Sequence, residues 1–206
     1  MNTTHERILS VSLDLFSEKG YSAVSIRDIC RQVQIKESSV YYHFKNKQAI
    51  FDELISRFQK YAESMMKKLE SALNEKNNHP GDHFYLSVCE NFFENYLMDE
   101  FCNKVIRLLW IEQFHNAQVK EVYDYWIFTK PLGIQSEIFE MLVRMGILCS
   151  ADSKYLAIKY YAPIFFFAQK WLFSGKLTDE NKNGFRTDAY QYIQWFFAEI
   201  GGTHNG

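Results

Sequence analysis

The chain has 206 residues, of which 47% are apolar and only three are proline, ample material for a core in one compact domain or a small domain joined to a larger one. Its formal charge of −2 argues against a general nucleic-acid binder, a class that is strongly basic. The most apolar segment, Tyr160 to Ala168, is about half the length that crosses a membrane, which argues against a membrane protein.

In chain order, Thr3 and Glu6 have capping-box spacing and predict a helix with apolar positions Ile8, Val11, Leu15 and Phe16, stopping at Gly20. Ser25 and Asp28 repeat that spacing. Val24 and Ile29 stand where a hydrophobic staple fixes the angle of the incoming chain, so a second helix begins near residue 26. Ile26, Ile29, Cys30 and Val33 form its inner face, the chain turns at Gln34, and Ile35 and Val40 close against that face from a third short helix. Two short helices joined by a tight turn are a helix-turn-helix, which places one helix in the major groove of DNA. Ser38, Ser39, Tyr41, Tyr42 and His43 remain as polar-tipped groups able to bond phosphates or base edges. Asn46 caps the next helix. Lys47, in its first turn, opposes the helix dipole, so a nearby phosphate explains it better than helix stability does.

That fourth helix links the head to the rest of the chain over about 46–76, until Asn77-Asn78-His79-Pro80-Gly81 breaks it. Helical patterns recur at about 82–98, 100–115, 117–145 with a break at Pro131-Leu132-Gly133, 152–174 and 184–200. Gly175 and the polar run Thr178 to Asn183 mark a loop before the last helix, and residues 201–206 read as a frayed tail. No strand-like alternation is sustained, so the fold class is all-α.

Charge is unevenly spread: residues 1–50 hold seven Lys and Arg against five Asp and Glu, and the remainder 16 against 20. A small positive head on an acidic body fits sequence-directed duplex binding through a limited surface. Cys30, Cys89, Cys102 and Cys149 lie far apart with no C-x-x-C pair, as expected of reduced core residues in a cytoplasmic protein. MNTTHERI has no apolar run after a basic stretch, so no signal peptide is expected.

Residues 8 to 54 closely resemble the N-terminal DNA-binding domain of TetR-family transcriptional repressors. The resemblance is carried by the ILSVSLDLF helix, Gly20-Tyr21, the Ser25-Ile26-Arg27-Asp28-Ile29 helix start, the Val40-Tyr41-Tyr42-His43-Phe44 segment, and Lys47 three residues beyond Phe44. It implies a three-helix helix-turn-helix domain over 1–48 and a larger C-terminal helical ligand-binding and dimerisation domain over 49–206. It places Ser25, Arg27, Lys36, Ser38, Ser39, Tyr41, Tyr42, His43 and Lys47 at double-stranded DNA. The chain departs from the family at Gln34, where glycine is usual, and at Lys36 and Glu37, where serine and lysine are common. Gln34 either accepts a left-handed backbone at a cost of about 1 kcal/mol or turns differently. Glu37 either accepts from a cytosine amino group or is a solvated helix-start acid.

Residues 152 to 174 are apolar around nearly the full helical circumference, and a helix of that kind must be buried on all sides. One side is expected to meet a second copy, with the last helix alongside; the alternative is an unusually apolar core within a monomer. TetR-family proteins pair through their last two long helices, which assigns Tyr160, Ile164, Phe167, Trp171, Tyr192 and Phe196 to a homodimer interface. Two recognition helices would then match half-sites about 34 to 36 Å apart on a near-palindromic operator.

Aromatic residues crowd the middle of the chain and would wall a cavity suited to a flat or greasy molecule, or simply fill a core. The family resemblance implies a pocket whose ligand releases DNA, and Trp110, Phe114, Tyr123, Trp126, Tyr161 and Phe165 are the candidate lining. Glu112, Gln113, His115 and Asp124 are candidate polar contacts. A ligand under the 46–76 helix would tilt it and change the spacing of the two heads, a coupling of about 1 to 3 kcal/mol.

Competing readings fare worse. Glu112 and His115 have the E-x-x-H spacing of di-iron bundles but no second copy, and Pro80-Gly81 separates His79 from His83. No phosphate loop, nucleophile elbow or zinc spacing occurs, so no enzyme activity, metal or cofactor is expected. The alternative function is a helical ligand-binding or interaction protein that has lost sequence-specific DNA binding.

Overall fold

The structure, a computed structural model, describes residues 3–75, 89–146, 148 and 152–201. The expected breaker at 77–81, His79, His83, Cys149 and the tail from 202 lie outside the described residues. Helices α1 (Thr4–Lys19), α2 (Ile26–Val33), α3 (Glu37–His43) and α4 (Lys47–Glu75) open the chain. They are followed by α5 (Glu100–Glu112), α6 (Ala117–Asp124), α7 (Lys130–Arg144), α8 (Ser153–Ala168) and α9 (Asp179–Gly201). Single π-helical turns lie at Phe93–Leu97, Tyr125–Thr129 and Gln169–Phe173. No strand occurs among the described residues, so the fold is all-α.

The chain divides into two compact units, residues 1–67 with 99–123 and residues 68–98 with 124–206. The first unit therefore takes in α5 as well as the head and the first part of α4.

In the first unit, α1 packs on α2 and α5. Thr3 caps α1 by accepting from the Glu6 N–H at 3.3 Å, but the reciprocal half of the expected box is absent. The Glu6 carboxylate instead takes both terminal nitrogens of Arg57 on α4, each at 2.8 Å. A bidentate guanidinium outcompetes one backbone N–H for those oxygens. Ile8 and Phe16 are fully buried together with Leu9 and Leu13, while Val11 and Leu15 sit half-buried on the flank. Cys30, Cys89 and Cys102 are buried.

The second unit departs from expectation around Pro131. No break falls at residues 131–133; the helix is irregular one turn earlier, at the π turn, and Pro131 sits in the first turn of α7. Bond counting explains why. The Lys130 N–H reaches the Tyr125 carbonyl five residues back, so the return to four-residue spacing skips the Trp126 carbonyl. Pro131 then brings no N–H for Ile127. Both carbonyls find hydroxyls: Tyr96 donates to Trp126 at 3.0 Å and Tyr161 donates to Ile127 at 2.7 Å.

α9 begins earlier than expected. Thr178 accepts from the Asn181 N–H at 3.2 Å and so caps the helix, and Asp179 and Glu180 suit its positive end. The polar run 178–183 is thus the solvent-facing start of α9, not a loop.

α8 packs against α7 and α9 of its own chain. Tyr160, Ile164 and Phe196 are buried within the single subunit, where the Phe139 ring from α7 packs beside both Tyr160 and Phe196. Trp171 is half-buried and donates to Asp188 of α9 at 2.7 Å. Phe167 and Tyr192 are also half-buried, their rings 6.3 Å apart. The stripe of α8 left in solvent is Tyr155, Ile158, Ala162 and Phe166, with Trp195 exposed on α9.

Candidate nucleic-acid interface

The geometry of the head follows from short-range bonds. Ser25 Oγ accepts from the Asp28 N–H at 3.2 Å and Asp28 Oδ2 accepts from the Ser25 N–H at 3.0 Å, a complete capping box. Those bonds, above all from Ser25, hold the Asp28 carboxyl below its ordinary range. Val24 and Ile29 are both buried, as a staple requires. α2 ends at Gln34, which adopts φ 62° and ψ 47°, the left-handed conformation. It is the sole non-glycine residue with positive φ among the described residues.

α3 is anchored by one fully buried residue, Val40, and by Phe44 just after it. The rest of its surface is open. Tyr42 is 85% exposed and Tyr41 52%, and Lys36 and Ser38 are also exposed, with Ser39 and His43 partly so. The His43 ring lies edge-on to Tyr42 at 5.1 Å, and Phe44 stacks on His5 of α1 at 4.6 Å. α3 therefore presents two phenol rings, a serine and a cation on a helix fixed from beneath, which is what reading a groove demands. Lys45, exposed directly after α3 within the Lys-Asn-Lys run, is a further cation outside the expected set.

Arg27 and Glu37 join the starts of α2 and α3. The Arg27 Nε donates to Glu37 Oε1 at 3.0 Å while the arginine stays 81% exposed. Glu37 is thus a partner for Arg27, and the terminal guanidinium nitrogens face solvent. Ser25 spends its hydroxyl on Asp28, donating to Oδ2 at 2.6 Å.

Lys47 points inward. Its ammonium donates to the Tyr21 carbonyl at 2.8 Å and the Val24 carbonyl at 2.7 Å, and lies 4.1 Å from the centre of the Tyr21 ring. With two of its three protons so used, it secures the α1–α2 turn. Burial pushes its ammonium below the ordinary lysine range, against the pull of Glu112. Asn46 caps α4 as expected, accepting from the Ala49 N–H at 2.9 Å.

Of the expected ligand residues, the Trp110 ring lies 6.4 Å from Phe114 and 5.7 Å from Tyr123, and the Tyr161 ring 6.4 Å from Phe165. Trp110, Phe114 and Tyr123 belong to the first unit, and Trp126, Tyr161 and Phe165 to the second. Phe114 is 75% exposed and Trp110 41%, so neither walls an enclosed space, and the Tyr161 hydroxyl is engaged by Ile127. Tyr123 and Trp126 are buried, and Phe165 packs edge-on to Phe128 at 5.2 Å. A cleft of about 400 Å³ opens within the first unit, between α1, α4 and the start of α5. None of the six lines it. Its floor is Leu9, Leu13, Leu54 and Phe101, and the Glu6–Arg57 and Asp14–Lys104 ion pairs border it. Glu112, a candidate polar ligand contact, instead accepts from the Tyr21 N–H at 2.8 Å. Among the described residues no group of three or more His, Cys, Asp or Glu could hold a metal ion, and no helix is long and apolar enough to cross a membrane.

Residues 8–54 match the family described as bacterial regulatory proteins, tetR family. The chain is 25% identical to the biofilm operon icaADBC HTH-type negative transcriptional regulator IcaR of Staphylococcus aureus, over 94% of this chain and 99% of that one. In fold it is similar to a TetR-family transcriptional regulator from Marinobacter aquaeolei, with a TM-score of 0.66, 21% identity and coverage of 96% and 91% of the two chains. It is likewise similar to a transcriptional regulator from Saccharomonospora viridis in complex with choline, with a TM-score of 0.63, 18% identity and coverage of 92% and 95%.

Proposed function

We propose, for a chain that is a DNA-binding transcriptional regulator of the TetR family, that it acts as a cytoplasmic homodimeric repressor released from its operator by a small molecule. The reading rests above all on Tyr42, 85% exposed on a helix whose Val40 is fully buried. Two large aromatic residues held out side by side on a rigidly seated helix form a surface suited to a partner. Tyr41, Ser38, Lys36 and the solvent-facing guanidinium of Arg27 would share that partner, with His43 and Ser39 at its edge. Ser25 and Lys47 would act from beneath, as parts of the frame.

Residues 1–48 would form the DNA-binding domain and 49–206 the effector and dimerisation part. Homodimerisation is supported by the apolar stripe of α8, where Tyr155, Ile158 and Phe166 are exposed beside Trp195 of α9. Such a pair would read a near-palindromic operator. Repression is the activity named for the S. aureus relative, and the choline complex of the S. viridis protein makes a small organic effector a reasonable expectation. For this chain the effector class we propose is largely apolar or aromatic.

Selection of duplexes from a random pool with the whole protein tests the reading. The expected product is a two-fold related sequence whose affinity falls by about 1 to 3 kcal/mol, the scale of one base-pair contact, in Tyr42→Ala. Enrichment of no sequence, or an unaltered affinity in the variant, would refute it.

A further inference from the structure

Glu112 is the last residue of α5 and only 5% exposed. Its carboxylate accepts from the Tyr21 N–H at 2.8 Å, 91 positions away in sequence. Gly20, which ends α1 at φ 81°, passes so close that a Cβ there would lie 3.0 Å from Glu112 Oε1 and 3.1 Å from Ile111 Cγ2. On the other side, Lys47 of α4 holds the carbonyls of Tyr21 and Val24, and the Tyr21 hydroxyl donates to Gln48 Oε1 at 2.9 Å. The turn that feeds the capped start of α2 is therefore gripped from α4 and from the end of α5 at once.

A buried carboxylate is an expensive way to end a helix, since an apolar residue of that volume would pack without desolvating a charge. What the carboxylate adds is direction: a charge-assisted bond fixes the Tyr21 amide to one place on α5. Val24, the staple residue, and Ser25, the cap of α2, follow within four positions of Tyr21. A shift of the turn would carry α2 with it, and through the α2–α3 packing the exposed face of α3.

We propose that Glu112 is a positioning residue for DNA recognition, holding the α1–α2 turn through the Tyr21 amide so that α3 keeps the posture in which it binds. The inference rests on the reading of α3 as the DNA-binding element. Glu112 itself touches no DNA in it.

The test compares Glu112→Gln, which keeps an acceptor oxygen, with Glu112→Leu, which removes it. The whole protein is measured for affinity to the selected duplex, for thermal unfolding, and for exchange of the Tyr21 amide in nitrogen-15-labelled protein. Glu112→Leu is expected to stay folded, to exchange Tyr21 faster and to lose affinity about tenfold, the scale of one charge-assisted hydrogen bond. Glu112→Gln should restore most of both. Unchanged affinity in Glu112→Leu overturns the proposal. So does equal damage in the two variants, which would assign the effect to charge beside Lys47, or an unfolded Glu112→Leu, which would make the bond a prop of the fold alone. If the native protein binds no duplex, the DNA reading has failed, while Tyr21 exchange still reports whether Glu112 holds the turn.

Discussion

The Tyr192 hydroxyl donates to the Lys159 carbonyl at 2.6 Å, and Lys159 stands four residues before Pro163 inside α8. A mid-helix proline has no N–H for the carbonyl four back. Tyr192 supplies the missing donor from α9, as Tyr161 does for Ile127 before Pro131. Tyr192→Phe should therefore destabilise the protein by about 1 kcal/mol, the net worth of a hydrogen bond to a half-buried carbonyl. Most of that loss should vanish in a Pro163→Ala background, where α8 makes its own bond. A double-mutant cycle by urea denaturation measures the coupling, and simple additivity would show that the two residues are unrelated.

Lys47→Met keeps the side chain's length and removes two hydrogen bonds to the α1–α2 turn. We expect the head to lose about 1 to 3 kcal/mol of stability and DNA affinity to fall with it, with the dimer intact. Affinity lost at unchanged thermal stability would instead place the ammonium on a phosphate.

Gln34→Gly should raise stability modestly. Relief of a left-handed side-chain residue is worth about 1 to 2 kcal/mol, and a glycine loosens the unfolded chain by about 0.4 to 1 kcal/mol. The net gain is then roughly 0.5 to 1 kcal/mol, visible as a higher denaturant midpoint. A lower midpoint would mean that the turn does not carry that strain.

Phe166→Glu puts a charge in the exposed stripe of α8. Sedimentation should show dissociated subunits of native helicity, with operator binding weakened because one head reads only one half-site. Tyr160→Ala, in the core of the same helix, should unfold the subunit instead. A dimer that survives Phe166→Glu would move the interface elsewhere.

Arg186 makes a two-pronged bond to Glu94, at 2.7 and 2.8 Å, and holds the Glu94 carboxyl below its ordinary value of 4.5. The fold thus favours the ionised form. The stabilisation is complete above about pH 4.5 and is lost as the pH falls through the lowered folded value. Both side chains are about a third exposed, so the pair contributes no more than about 1 kcal/mol. Glu94→Gln should flatten the acid limb of the stability profile and leave its slope near neutrality unchanged. An identical acid limb would remove Glu94 from the account.

Much of the head was legible because its signals are local. Ser25 and Asp28 are three residues apart, Asn46 caps a helix that starts beside it, and Gly20 stops one at its own position. The α8 aromatics were legible as a set but not one by one. An all-apolar helix announces that every side is covered, yet whether Tyr160 or Ile158 meets the partner depends on where α7 and α9 lie. The π turn before Pro131 left no local mark, because the residues that make it tolerable, Tyr96 and Tyr161, are 30 and 34 positions from their acceptors.

Sequence alone determined an all-helical chain with a helix-turn-helix near its start, since caps, staples and apolar spacing act within a few residues. Only tertiary structure decided that Lys47 faces inward, that Arg27 and Glu37 are partners, and that Glu112 grips Tyr21 from 91 positions away. A donor's use depends on which acceptor is nearest in space, and spacing along the chain says nothing of that once the two lie on different helices.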